Sequence, residues 1–328
     1  MLREVQASHG SLAQQIVGAI MRAVPVGFAH HKEPQRSEVL DAFQKEHAPS
    51  LSRSGHQVFY PPELVVEIEE GYRQLATLGS GNHFIELQED EDGKLGIMLH
   101  SGSRNFGLKI ATYFNNVAKK LNKQLASGVP AAWDLAYLPA DALEGQAYIR
   151  WMNLALDFAR ENRRLMMERT KEIVFDLVER HTGFKGIKVD MEVNAHHNYA
   201  ALERHGDEDL WVHRKGAIRA REGEIGIIPG AMGSYSYIVS GRGNPESYYS
   251  CSHGAGRRMG RKEATRQFSV QEVMDDFKAS GVILGKNRKG DVAEEYRKAY
   301  KDIDFVIDNE RDLVQPVMRL KTVAVVKG

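Results

Sequence analysis

The chain has little of three things. Among 328 residues there is one cysteine, Cys251. A single thiol excludes an internal disulfide and every CxxC-based metal or redox centre, and makes a reducing cytoplasm the expected location. No apolar run reaches the length of a membrane span, so no membrane partner is expected. The first residues, MLREVQASHGSLAQQIVGAIMRAV, lack the basic start and clean apolar core of a secretory signal. Net charge is also missing, because 44 Lys and Arg balance 44 Asp and Glu. That excludes bulk polyanion binding through a globally basic surface and confines any phosphate contact to a local site. Neither an internal repeat nor a low-complexity tract is found.

What is present is glycine and histidine, 30 and 13 residues. Apolar residues at Leu12, Ile16, Val17, Ile20 and Met21 predict a helix over 11–24, followed by a Pro/Gly loop to about 35. A helix is expected over 62–77. Strands are expected at Phe84–Gln88 and Leu95–Leu99, with an acidic turn between them. Helices follow at 108–125 and 141–181. The alternation in IKVDMEVNAHHNYA predicts a strand that breaks near its end. From 211 to 257 short strands alternate with Gly-rich turns, 263–300 reads as helical, and RLKTVAVVKG reads as a buried strand. The sum is an α+β (mixed α/β) fold: one domain over 1–328, with mixed sheets around a central site and a helical insertion at 130–182.

Several histidines stand at strand ends beside small residues: His83 in GSGNHF, His100 in LHSGSRN, and His196 and His197 in NAHHN. Strand ends before Gly/Ser loops are where site groups are commonly displayed, and neutral imidazole ligates borderline metals. No HExxH spacing supports a metal by itself, and a hydrogen-bonded structural role remains open for each ring. Strand alternation puts Asn82, Phe84 and Glu86 on one face and His83 on the other. In SCSHGAGRRMGR, His253 precedes a turn whose glycines bring backbone N–H groups near a ligand, with Arg257, Arg258 and Arg261 suggesting an anion. The ring is read as a ligand, a base or a nucleophile. Arg214, Lys215, Arg219 and Arg221 extend a basic strip for RNA, or form a solvated charged face.

Eight blocks together resemble the RtcB family of GTP-dependent RNA ligases. They are GSGNHFIEL (79–87), MLHSGSRNFG (98–107), NAHHNYA (194–200), RKGAIRAR (214–221), GIIPGAMGSYSYIV (226–239), SCSHGAGRRMGR (250–261), AYKDID (299–304) and VVKG (325–328). The resemblance implies an enzyme that joins an RNA 3′-phosphate, or 2′,3′-cyclic phosphate, to a 5′-hydroxyl in RNA repair or tRNA splicing. It implies His253 as the nucleophile that takes GMP from GTP, and His83, His100 and His197 as ligands of one or two Mn²⁺. Asn82, Phe84, Glu86, Ser236, Ala255, Gly256, Tyr300 and Lys327 match nucleotide-contacting positions. The implied partners are GTP, RNA with 3′-phosphate and 5′-hydroxyl ends, and an activating helper protein.

The chain departs from the family pattern at its start. A DxxCG motif whose Asp and Cys complete the family's metal site has no counterpart here, so an N-terminally shortened member is expected. Ala231 and Gly260 stand where serine is common. Two further readings follow: an impaired paralogue or fragment that binds metal or guanine nucleotide, and a metal-dependent phosphoesterase acting on RNA ends.

Overall fold

A computed structural model describes residues 9–47, 60–286 and 290–328. Contacts divide the chain into two compact units. One comprises 1–28, 78–100 and 166–328; the other comprises 29–77 and 101–165. Helices and antiparallel sheets make an α+β fold, as the sequence predicts. None of the helices among the described residues is long and apolar enough to cross a membrane.

The first unit is built on a sheet ordered β2-β1-β10-β7-β6. Its strands are β1 (Phe84–Glu89), β2 (Leu95–His100), β6 (Ile225–Ile228), β7 (Tyr235–Gly241) and β10 (Val314–Lys327). A short β9 (Ile283–Gly285) pairs in parallel with the end of β10. β10 is the longest strand. Its first half pairs with β7 and its second half with β1, placing Lys327 opposite Phe84. Two further two-stranded sheets are present: the hairpin of β3 (Asn198–His205) with β4 (Glu208–Lys215), and β5 (Ala217–Arg219) with β8 (Ser250–Ser252), which brackets β6 and β7 in sequence.

Alternation along β6 and β7 fills a core on each face of the sheet. Ile227 and Ile238 pack with Val273, Phe277 and Tyr296 on one side. Ile228, Tyr237 and Val239 pack with Ile218, Cys251, Ile303 and Ile307 on the other. The helix on the first face, Val270–Ser280, starts on a Ser269–Glu272 capping box and stops at Gly281 in the left-handed region. The helix His9–Ala23 lays its stripe of Ile16, Val17 and Ile20 inward. Val17 and Met21 close against Gly285 of β9 so tightly that a Cβ there would lie 2.4 Å from Val17.

The second unit is helical: Glu38–His47, Pro62–Gln74, Arg104–Gln124 and the part of Leu143–Thr182 up to residue 165. Phe106, Ile110 and Phe114, spaced by four, meet Trp151, Leu154 and Phe158 in its core. The segment expected as a helical insertion at 130–182 appears as a 3₁₀ turn, Ala131–Trp133, a loop, and that 40-residue helix.

Two expectations are corrected. Residues 187–197 alternate in sequence but form no strand; pairing begins only at Asn198. The segment is mostly exposed, with Asp190 bound to Lys94 and Glu192 to Lys171, and the His197 carbonyl accepts from the Gly216 N–H. The span 263–300 is not helical throughout. After Gly281 the chain is drawn into β9 and then 3₁₀ turns at Val292–Glu295 and Arg297–Ala299.

Candidate functional site

A cavity of about 280 Å³ opens in the first unit. Its walls come from the start of β1, the end of β2, the β6–β7 loop, the loop after β8, and the end of β10. Asn82, Phe84, Glu86, His100 and His253 line it. So do Ala255, Gly256, Tyr300 and Lys327, residues up to 245 positions apart in sequence from Asn82. Ser236 lies behind the wall. It is buried, and its Oγ accepts from the Gly230 N–H (3.2 Å) and from Gln88 Nε2 (3.2 Å).

The four predicted histidines adjoin one another. His83 and His100 ring centroids are 5.8 Å apart, and His100 and His197 are 4.8 Å apart. His197 and His253 stack at 5.2 Å with 12° between planes. Burial pushes the His100 pKa well below normal, and the other three imidazoles and Lys327 push it the same way. Burial also lowers His253, partly offset by a backbone hydrogen bond with Gly216. Both shifts favour the neutral ring, which keeps one unprotonated nitrogen for a metal or an electrophile; His100 Nε2 lies 3.4 Å from the Asn82 side-chain amide. Gly216 seats the nucleophile candidate: its φ is +70°, and a Cβ there would lie 3.1 Å from His253 Cε1. Glu310 fixes the preceding residue, accepting from the Ser252 N–H (3.1 Å) and Oγ (3.0 Å).

The fit to a metal can be tested on these rings. With a metal–nitrogen bond of about 2.1 Å, ring centroids of two ligands on one ion lie at most about 6.4 Å apart. The 5.8 and 4.8 Å spacings of His83, His100 and His197 fall within that reach, and neutral imidazole is the right donor. Among the described residues no group of three such side chains is converged on one point. Cys251 is no candidate ligand: it is buried beside β5, and burial pushes its thiol up to about 12.

Glu86 and Lys327 supply opposite charges to the cavity. Glu86 is 4 % exposed, and burial raises it to about 7 against hydrogen bonds from Gln88 (2.7 Å) and Thr322 (3.2 Å). Lys327, also 4 % exposed, donates to the Gly81 carbonyl at 2.7 Å. Burial lowers it to about 8, opposed by Glu295 and Glu86. Its position follows from β10 pairing on both sides of its last turns, which carries a near-terminal lysine into the interior.

Glu295 was not foreseen in the sequence. Its carboxylate gathers Arg261 Nε at 3.1 Å, Arg257 Nη1 at 3.4 Å, Lys327 Nζ at 3.6 Å and the Tyr300 hydroxyl. Burial would raise its pKa, but Lys327, Tyr300 and Arg261 together hold it below the usual range. Arg257 also lies over the Tyr300 ring at 4.7 Å. Three cations against Glu295 and a half-neutral Glu86 leave the cavity positive, which suits a phosphorylated ligand. Gln88, buried between Glu86 and Ser236, was also missed, though its position two residues beyond Glu86 on β1 is the signal that puts it on the same face.

Of the residues read as a basic strip or a solvated charged face, several arginines are paired with carboxylates. Arg214 is buried in a pair with Glu203 (2.5 Å), Arg219 pairs with Glu224 (2.9 Å), and Arg257 and Arg261 share Glu295. Arg214 and Arg219 tie strands and loops together and are neutralised one to one, whereas Arg257 and Arg261 share a single carboxylate and leave positive charge at the cavity.

A family model described as tRNA-splicing ligase RtcB matches residues 2–328. The chain belongs to the RtcB family. Similar RtcB relatives include the RNA-splicing ligase RtcB of Escherichia coli (strain K12), 42 % identical over 257 residues, covering 78 % of this chain and 62 % of that protein. The RNA-splicing ligase RtcB of Mycobacterium tuberculosis (strain ATCC 25618 / H37Rv) is 33 % identical over 296 residues, with 80 % and 66 % covered. The tRNA-splicing ligase RtcB of Aeropyrum pernix is 31 % identical over 294 residues, with 79 % and 60 % covered. The chain thus spans less than two thirds of the length of these RtcB proteins.

Proposed function

We propose that the chain carries the nucleotide-transfer centre of a GTP-dependent RNA ligase that joins an RNA 3′-phosphate or 2′,3′-cyclic phosphate to a 5′-hydroxyl. The observation that carries this reading is the neutral His253 ring, stacked on His197 at the wall of a positively charged cavity. An imidazole nitrogen of His253 attacks the α-phosphorus of GTP; the phosphoramidate N–P bond forms as the bond to the β-phosphate oxygen breaks, releasing pyrophosphate. A 2′,3′-cyclic end is first opened by water to the 3′-phosphate; a 3′-phosphate oxygen then attacks the guanylyl phosphorus, breaking the N–P bond and freeing His253, and the 5′-hydroxyl attacks the activated 3′-phosphorus, losing its proton as GMP leaves. Burial favours the unprotonated His253 ring for the first step. Arg257, Arg261 and Lys327 hold phosphate oxygens, with Glu295 fixing where those cations sit. Glu86 and Asn82, on the cavity wall, present an acceptor and a donor to the base, and Phe84 and Tyr300 offer aromatic faces.

Mn²⁺ held by His83, His100 and His197 would supply Lewis-acid stabilisation of phosphate charge. Incubation with α-labelled GTP and Mn²⁺ is expected to give a covalent GMP adduct that is absent in His253→Ala. A wild-type chain that binds GTP and never forms the adduct would refute the ligase reading and favour a nucleotide-binding member of the family.

A further inference from the structure

A cation-rich surface also lies in the second unit. The helix Arg104–Gln124 holds five basic residues and no acidic one in a chain of zero net charge. Its apolar stripe faces the core, so Lys119, Lys120 and Lys123 stand on the exposed side. Lys119 pairs with Asp134 at 2.6 Å, whereas Lys120 and Lys123 have no carboxylate partner among the described residues.

The loop after this helix is anchored. The side chain of buried Asn122 donates to the Tyr137 carbonyl (2.5 Å) and to Ala118 (2.9 Å), and its Oδ1 accepts from the Tyr137 N–H (3.3 Å) and Ser127 Oγ (3.1 Å). With the Lys119–Asp134 pair, this fork fixes the loop against the helix. What it presents is two outward rings with a leucine between them: Trp133 is 65 % exposed, Leu135 63 % and Tyr137 49 %. Rigid, solvent-facing rings beside unpaired ammonium groups match the two needs of an unpaired nucleic-acid strand, base stacking and phosphate neutralisation. A purely apolar protein surface would cover the rings while stripping water from Lys120 and Lys123 without replacing it by an opposite charge.

We infer that Trp133 and Tyr137, with Lys119, Lys120 and Lys123, form a docking platform for a single-stranded segment of the RNA substrate, outside the nucleotide cavity. The inference rests on the RNA-ligase reading for the identity of the strand. Its energetics are separable: the lysines set the salt dependence, and the rings contribute a salt-independent part.

The test is fluorescence anisotropy of a labelled single-stranded oligoribonucleotide bound to the full chain across a salt series, with GMP-adduct formation assayed in parallel. Lys120→Gln/Lys123→Gln is expected to lower the slope of log K against log salt by about 1.4, from roughly 0.7 per phosphate contact. Trp133→Ala is expected to weaken binding about tenfold with an unchanged slope. Adduct formation at His253 should be the same in all three proteins. The platform is refuted if wild type binds no RNA, or if both variants bind it as wild type does, which would leave the face to a protein partner. Loss of the adduct in wild type, with RNA affinity still dependent on these residues, would instead defeat the ligase reading alone.

Discussion

Replacing Gly216 by alanine separates the seating of His253 from ordinary backbone strain. At φ +70°, a side chain costs about 1–2 kcal/mol in the left-handed region. The same cost applies at Gly223, where φ is +72° and nothing lies within 4 Å of an added Cβ. At Gly216 the new Cβ would also sit 3.1 Å from Cε1 and 3.4 Å from Nδ1 of the His253 ring. Backbone on one side and the stacked His197 ring on the other leave the imidazole to yield by a few tenths of an ångström. Both variants should therefore lose similar stability, on the order of 2–4 °C in Tm. Gly216→Ala alone should slow GMP-adduct formation, by roughly tenfold to a hundredfold given the sensitivity of such steps to displacements of this size. It should also change the rate at which diethyl pyrocarbonate modifies His253, read by mass spectrometry without GTP. Equal adduct rates and equal modification rates in the two variants would show that Gly216 does not set the ring's position.

Other outcomes follow from the same structure. Because burial raises Glu86 to about 7, its contribution to stability is full below about 4.5 and is lost as pH rises through 7; denaturant titrations of wild type against Glu86→Gln should diverge over that window, and parallel curves would show the carboxyl to be solvated. Glu295→Ala removes the carboxylate shared by Arg257, Arg261 and Lys327, and should destabilise the fold by about 3 kcal/mol, with Glu295→Gln intermediate; urea unfolding decides it. Arg214→Ala leaves Glu203 buried without its main partner, the two side chains being 1 % and 3 % exposed, and should cost about 3–5 kcal/mol; a change below 1 kcal/mol would mean the pair is wetter than it looks.

Much of the fold was legible because it rests on local periodicity. The Ile16–Ile20 stripe, the β1–β2 hairpin and the 104–124 helix each carry a repeat of 3.6 or 2 with turn residues at the ends. Reading failed where the repeat had no partner. Residues 187–197 alternate, yet they pair with no strand among the described residues. The arginines at 214, 219 and 221 read as a basic strip because their pairing with Glu203, on the neighbouring strand β3, and with Glu224, across a turn, is set by strand pairing and turn geometry.

By itself the sequence determined which residue types are available for chemistry: imidazoles at strand ends, glycines at tight turns, one thiol and no net charge. It also carried the family motifs, since those are local strings. The tertiary structure decided which of those residues meet. Pairing of β10 with β1 carries Lys327 to Gly81 and Glu295, and the loop after β8 lays His253 on His197. Those contacts depend on sheet order and burial, which are long-range properties, and the same burial sets whether each group is charged when a ligand arrives.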